Sequence, residues 1–204
     1  MEGPNVNLML LRSLKEEFAA SGGSQKMLDI GSCGLHVVNG AFKLGHNVTN
    51  WHIVVFLRSI YNLFKNVPAC RADYVGLTGS TLFLLKFCSV RWLQNSKVIA
   101  RALQVLPNLV TYVDHSVKQK KAPTCSSYVA VKKAVADEML PVKLVFMLSV
   151  LEELEPFLAQ FQSEKPMLPF LASALDCLLR SLLSRIVLKE KLNAADTSSK
   201  LLNY

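Results

Sequence analysis

The sequence predicts a mostly α-helical fold, and three observations carry that prediction. Apolar residues recur at helical spacing along most of the chain, most regularly in Leu168, Leu171, Leu175, Leu178, Leu182 and Ile186. Helix breakers stand between these stretches, as at Gly22-Gly23-Ser24 and at Pro68. Only a short apolar run, Met27–Ile30 before Gly31, has the character of a buried strand.

The first helix is expected over Asn5–Ala20, with Val6, Leu10, Leu11, Leu14 and Phe18 on one face and Lys15, Glu16 and Glu17 outside it. Ser32 is placed to cap a second helix carrying Cys33, His36, Val37, Val38 and Phe42, ending near Gly45. A strongly apolar helix follows at Trp51–Asn66, and Pro68 stops it. Ala69–Val75 fits a short helix, Gly76, Gly79 and Ser80 mark a turn, and Leu82–Leu85 suits either helix or strand.

From Val90 to about Ser116 a long helical pattern runs on, with a bend expected at Pro107. Lys118–Cys125 reads as a basic loop and Tyr128–Met139 as another helix. Pro141 suits the first position of a helix reaching Gln162, which Pro156 should kink or break. In the last helix Asp176 and Arg180 form an i,i+4 pair on the outer side. The polar stretch from Asn193 is expected to fray.

Composition narrows the function classes. The chain has 204 residues, 51% of them apolar, and a net charge of +8. Such apolar content implies an apolar surface or a face that packs against something else. The charge is concentrated: residues 84–133 hold Lys86, Arg91, Lys97, Arg101, Lys118, Lys120, Lys121, Lys132 and Lys133 against Asp114 alone. A basic block of this kind suits a polyanion, because each Lys or Arg set on a phosphate releases counterions; a solvated helix face is the plainer explanation. No signal peptide is read at Met1-Glu2-Gly3-Pro4. The apolar stretches Trp51–Phe64, Pro141–Leu151 and Met167–Leu188 are too short or too interrupted by charge to span a membrane. Five scattered cysteines, at positions 33, 70, 88, 125 and 177, suit free thiols in a reducing compartment.

Few motifs carry chemistry. Cys33-x-x-His36 places two metal-ligating side chains on one helix face, but a closed zinc site takes about four ligands. His46 and His52 complete no recognised order, so a packed Cys and a hydrogen-bonded His are favoured, and no metal or cofactor is expected. Gly76-Leu77-Thr78-Gly79 is neither a P-loop nor a dinucleotide fingerprint. No nucleophile elbow or catalytic triad is spaced in the chain. Arg91-Trp92 admits two roles. The indole can stack on an unpaired base while the guanidinium holds phosphate, or Trp92 can fill the core while Arg91 snorkels to water.

Taken together, Gly3-Pro4-Asn5-Val6-Asn7, the run from Asp29 through Cys33 and His36 to Lys43, and Phe87–Asn95 resemble the hAT superfamily of DNA transposases. The likeness continues more loosely through Met167–Arg185. It implies a remnant of an RNase H-like α/β core over residues 1–45 and a mostly α-helical insertion domain over 46–192, which leaves 193–204 as a flexible tail. It further implies that Cys33 and His36 lie near the active-site side, and that Trp92 stacks on a base with Arg91 supporting it. Family members hold divalent metal with two Asp and a Glu; the second Asp is replaced here by Glu2, one methylene longer. The first Asp is expected before Met1 and the Glu beyond this chain.

The expectation is a catalytically inactive, truncated or domesticated transposase-derived protein of the nucleus. It binds DNA through Arg91, Trp92, Lys97, Arg101, Lys118, Lys120 and Lys121, and self-associates through apolar helix faces. The rivals are a protein-interaction module built on exposed Leu-rich helices, a metal enzyme using Cys33 and His36, and a remnant reading frame with no selected function.

Overall fold

A computed structural model describes residues 5–20, 34–89, 91–162, 165–195 and 200. The chain divides into two compact units, Met1–Gly45 and His46–Tyr204. Among the described residues the regular structure is helical throughout, with no strand. The strand expected at Met27–Ile30 lies outside the described residues, as do Glu2, Ser32 and Cys33.

In the first unit, α1 spans Asn5–Ala20, the range that its periodicity predicts. Leu10 and Phe18, expected on its apolar face, are 53% and 49% exposed. Helix α2 spans Gly34–Thr49 and continues past Gly45 into the second unit. Gly45 has an open surrounding and a helical backbone, so it ends nothing.

The second unit is a helical bundle. Asn50 and His52 both sit in the left-handed region at φ 54°, turning the chain through Trp51 into α3, Ile53–Asn66. Ile53, Leu57, Ile60 and Leu63 of α3 are wholly buried. Each such side chain contributes about 1.5–3 kcal/mol to folding. Pro68 does more than stop α3: it occupies the first turn of α4, Pro68–Thr78. That helix runs on through Gly76 and ends at Gly79, whose φ of 67° needs no Cβ to avoid. Its N–H closes onto the carbonyl of Val75 at 2.8 Å.

Residues 80–89 form a non-helical strap that buries Leu84 and Phe87. Phe83 packs on Phe64 and Tyr74 and carries the guanidinium of Arg71 at 4.3 Å over its ring. Helix α5, Ser96–Lys118, packs against α3, α4, α6 and α7. Helix α6 covers Ser126–Val135 and α7 covers Leu140–Phe161. A buried 2.6 Å hydrogen bond between the hydroxyls of Ser116 and Tyr128 ties α5 to α6. Neither Pro107 nor Pro156 breaks its helix. Both are exposed, so the carbonyl that each leaves without its helical donor is near solvent.

A 3₁₀ turn at Leu168–Phe170 leads into α8, Leu171–Leu183, which packs on α7. Asp176 and Arg180 pair at 2.7 Å, as their spacing predicts. The stretch expected to fray begins in helix α9, Lys189–Ala194. Arg180 donates to the carbonyls of Leu192 at 2.9 Å and Ala195 at 2.7 Å, closing the C-terminal end of α9. Leu192 and Ala195 are buried against Leu179, Leu183 and Val187. Among the described residues no helix is long and apolar enough to cross a membrane.

Candidate nucleic-acid interface

Residues 91–95 differ from the continuous helix that periodicity suggests from Val90 onward. Trp92–Gln94 is a 3₁₀ turn, and α5 begins only at Ser96. The cause is Asn95, which is wholly buried. Its Oδ1 accepts from the Cys88 N–H at 2.8 Å, and its Nδ2 lies within 3.0 Å of the carbonyls of Cys88, Arg91 and Trp92. One side chain thus satisfies backbone groups that a helix would have paired. Its own carbonyl accepts from Val98 and Ile99, starting α5. Ser96 then hydrogen-bonds Glu155 of α7, fixing that end of the helix.

This arrangement separates Arg91 from Trp92. Arg91 is exposed, whereas Trp92 is 6% exposed. The indole stands edge-on to Phe87, with centroids 5.4 Å apart, and to His46 at 4.9 Å. Stacking on a base in this conformation would first require taking the ring out of the core. The ring nitrogens of His46 are buried with no hydrogen-bond partner. Burial holds this imidazole below its ordinary pKa of 6.5; the Asn47 side chain beside it works the other way and is outweighed, and a charge on His52 would add to the lowering.

Helix α5 carries the predicted cations along one edge. Lys97, Arg101 and Lys118 share a face with Gln104, Asn108, Thr111 and His115, spaced alternately four and three residues apart. Every member of this stripe is exposed or half-buried, while the opposite face supplies the core. Over 97–118 the stripe is about 32 Å long at 1.5 Å per residue. It contains no carboxylate; Asp114, the one acid of α5, stands at its edge. Arg101 is half-buried and donates to the Phe83 carbonyl at 3.4 Å, so part of its guanidinium is committed to the strap.

Lys118 ends α5 and Lys120 and Lys121 follow directly, all three exposed. The helix closes through Lys120 N–H to Val117 carbonyl at 3.1 Å and Lys121 N–H to Ser116 carbonyl at 3.0 Å. In such a closure the residue with left-handed backbone is usually glycine. Here it is Lys120, with φ 54°. The helix C-terminus is electrically negative, so cations there are favoured. Arg91 lies on the other side of Asn95 from the stripe in sequence.

His36 is an exposed residue of α2, and Cys33 lies outside the described residues. Among the described residues no three His, Cys, Asp or Glu side chains gather where they could hold a metal ion. Periodicity missed Asn95 and His46; the alternating four-three spacing of polar residues in α5 was the available signal for the stripe. Neither a family model, nor a curated protein, nor a solved structure matches the chain.

Proposed function

We propose that this chain is a catalytically inactive relative of hAT-type transposases whose helical bundle keeps a nucleic-acid-binding edge. The observation that carries the binding reading is the carboxylate-free stripe of α5, flanked by the lysines of its closing turn. Lys97, Arg101, Lys118, Lys120 and Lys121 supply cations, and Gln104, Asn108, Thr111 and His115 supply uncharged hydrogen-bonding groups between them. Such a surface contacts phosphate and sugar without reading bases. Arg91 extends the charge, while the role of Trp92 is to hold the 87–95 segment in place. The transposase descent rests on the quoted motifs, and the inactivity on Glu2 in place of an Asp.

Binding of a fluorescent DNA hairpin by the purified protein, followed from low to moderate salt, tests this reading. The affinity should fall steeply with salt. The Lys118/Lys120/Lys121→Ala variant should flatten the logarithmic salt slope by about 2.7, at roughly 0.9 per phosphate contact. Binding that ignores salt and these lysines would discard it. Magnesium-dependent cleavage of the hairpin, lost in Glu2→Ala, would discard the inactivity.

One observation favours a second reading, a protein-interaction module. Val142, Val145 and Phe146 lie together on α7 and are 56%, 54% and 51% exposed. Concentration-dependent association that persists in high salt, and is lost in Val145→Asp, would support that module instead.

A further inference from the structure

We infer that the cleft between the start of α3, the end of α6 and the start of α7 binds one nucleotide unit, with its base at Trp51 and its phosphate at Lys133. The inference deepens the nucleic-acid reading above, but rests on different residues. The cleft has a volume of about 390 Å³, within the range of roughly 300–1,000 Å³ usual for small-molecule sites.

Its walls are of two kinds. Trp51, Val55, Phe56 and Leu140 make an apolar side, while Lys133, Lys143 and Asp137 make a charged one. The indole of Trp51 is half-exposed and braced edge-on by Phe146, with centroids 5.7 Å apart. A braced, wetted indole offers an aromatic surface to a planar ring at little conformational cost.

The charges resolve into a pair and a surplus. Lys143 donates to Asp137 at 2.5 Å, and Asp137 also accepts from the Met139 N–H at 3.0 Å. The Lys143 hydrogen bond holds this carboxyl below its usual range, so the pair is neutral as a unit. Lys133 is exposed and makes no ion pair or hydrogen bond among the described residues. The cleft therefore carries one uncompensated positive charge beside an apolar wall. The amide of Asn50, also in the lining, can both donate and accept.

These features select the ligand class. A purely apolar ligand would desolvate Lys133 and the Asp137–Lys143 pair without replacing their water. Inorganic phosphate would leave Trp51 and Val55 wet. A nucleotide carries a flat ring, an edge of donors and acceptors, and an anion. That chemistry has two sources, a free mononucleotide or an unpaired nucleotide of a strand.

Titration of the protein with 5′-AMP, followed by tryptophan fluorescence, tests the inference. Trp51 is half-exposed and Trp92 buried, so the response expected is saturable quenching of the exposed indole. Adenosine and inorganic phosphate should each bind at least about tenfold more weakly, as should AMP to Lys133→Glu, whose altered side chain is outside the core. Trp51→Leu should remove the response with the far-UV circular dichroism unchanged. A competition arm separates the sources. Displacement of AMP by a strand with an unpaired overhang, and not by a blunt hairpin, assigns the cleft to strand ends; displacement by neither assigns it to the free nucleotide.

Failure of AMP and of the overhang to give saturable quenching overturns the inference, as does equal quenching in Lys133→Glu. Retained salt-sensitive hairpin binding in that event leaves the α5 edge standing alone. Loss of both removes the two readings together.

Discussion

The imidazole of His46 stands edge-on to the indole of Trp92, ring centroids 4.9 Å apart, and both of its nitrogens are buried without a partner. A neutral ring is tolerated there because its edge meets an aromatic face. An imidazolium in the same place would be a largely desolvated cation, a cost that the neighbouring Asn47 side chain only partly offsets.

The stability of the protein should therefore fall on acidification. The pKa of His46 is lowered in the folded state by burial, so around and below 6.5 the unfolded chain takes up a proton that the folded chain does not. The loss begins as pH drops through 6.5, grows until the lower folded value is reached, and is absent at pH 8. Urea midpoints measured from pH 8 to pH 5 should show it, and His46→Phe should remove that part of the slope. An identical pH dependence in the variant would show that other groups are responsible.

Asn95→Ala should destabilise the protein by about 2 kcal/mol, since it strips partners from the Cys88 N–H and from three carbonyls at once. The variant should also expose Trp92, seen as a red-shifted emission. Asn95→Asp should be no better: it keeps one acceptor, loses the donations and buries a carboxylate. A loss no larger than that of a surface substitution would mean that the segment holds its shape by packing alone.

Lys120→Gly should part stability from binding. Relief of the left-handed strain at Lys120 should raise stability by about 1 kcal/mol. Removal of its cation should weaken hairpin affinity and flatten the salt slope by roughly 0.9. Thermal unfolding and anisotropy on the same preparation check both. A stabilised variant with unchanged affinity would exclude Lys120 from the interface.

The cysteines should react with a maleimide in an order set by burial. Cys88 and Cys177 are exposed, and Cys70 is 3% exposed. Burial also pushes the Cys70 thiol above its usual pKa, which lowers the thiolate fraction that reacts. Peptide mapping after timed labelling should find Cys70 modified last, on the time course of unfolding. Early labelling of Cys70 would mean that α4 opens locally.

How much of this was legible in the sequence depended on the force at work. Periodicity located α1, and the spacing of Asp176 and Arg180 announced their ion pair. It failed at 91–95, where Trp92 and Leu93 keep helical apolar spacing while Asn95 pulls the backbone into a tighter turn. A contact between a side chain and a distant carbonyl has no period. At Pro156 the helix runs on unbroken, since a ring on the solvent side costs it only one hydrogen bond. For the site, the cations were visible in the composition of residues 84–133, but their alignment depended on where α5 starts. The two tryptophans were indistinguishable in sequence. Only their neighbours, Phe87 and His46 for one and Phe146 for the other, separate a buried ring from a wetted one.

The closure of α9 by Arg180 bears on how the chain comes apart. The small cluster of Leu192 and Ala195 with Leu179, Leu183 and Val187 is built from residues close in sequence, and one guanidinium latches it. A unit of that kind opens and recloses by itself, at a free-energy cost well below that of melting the bundle. Amide hydrogens of Leu192 and Ala195 should then exchange long before those of α5, and a protease offered the folded protein should trim this end first.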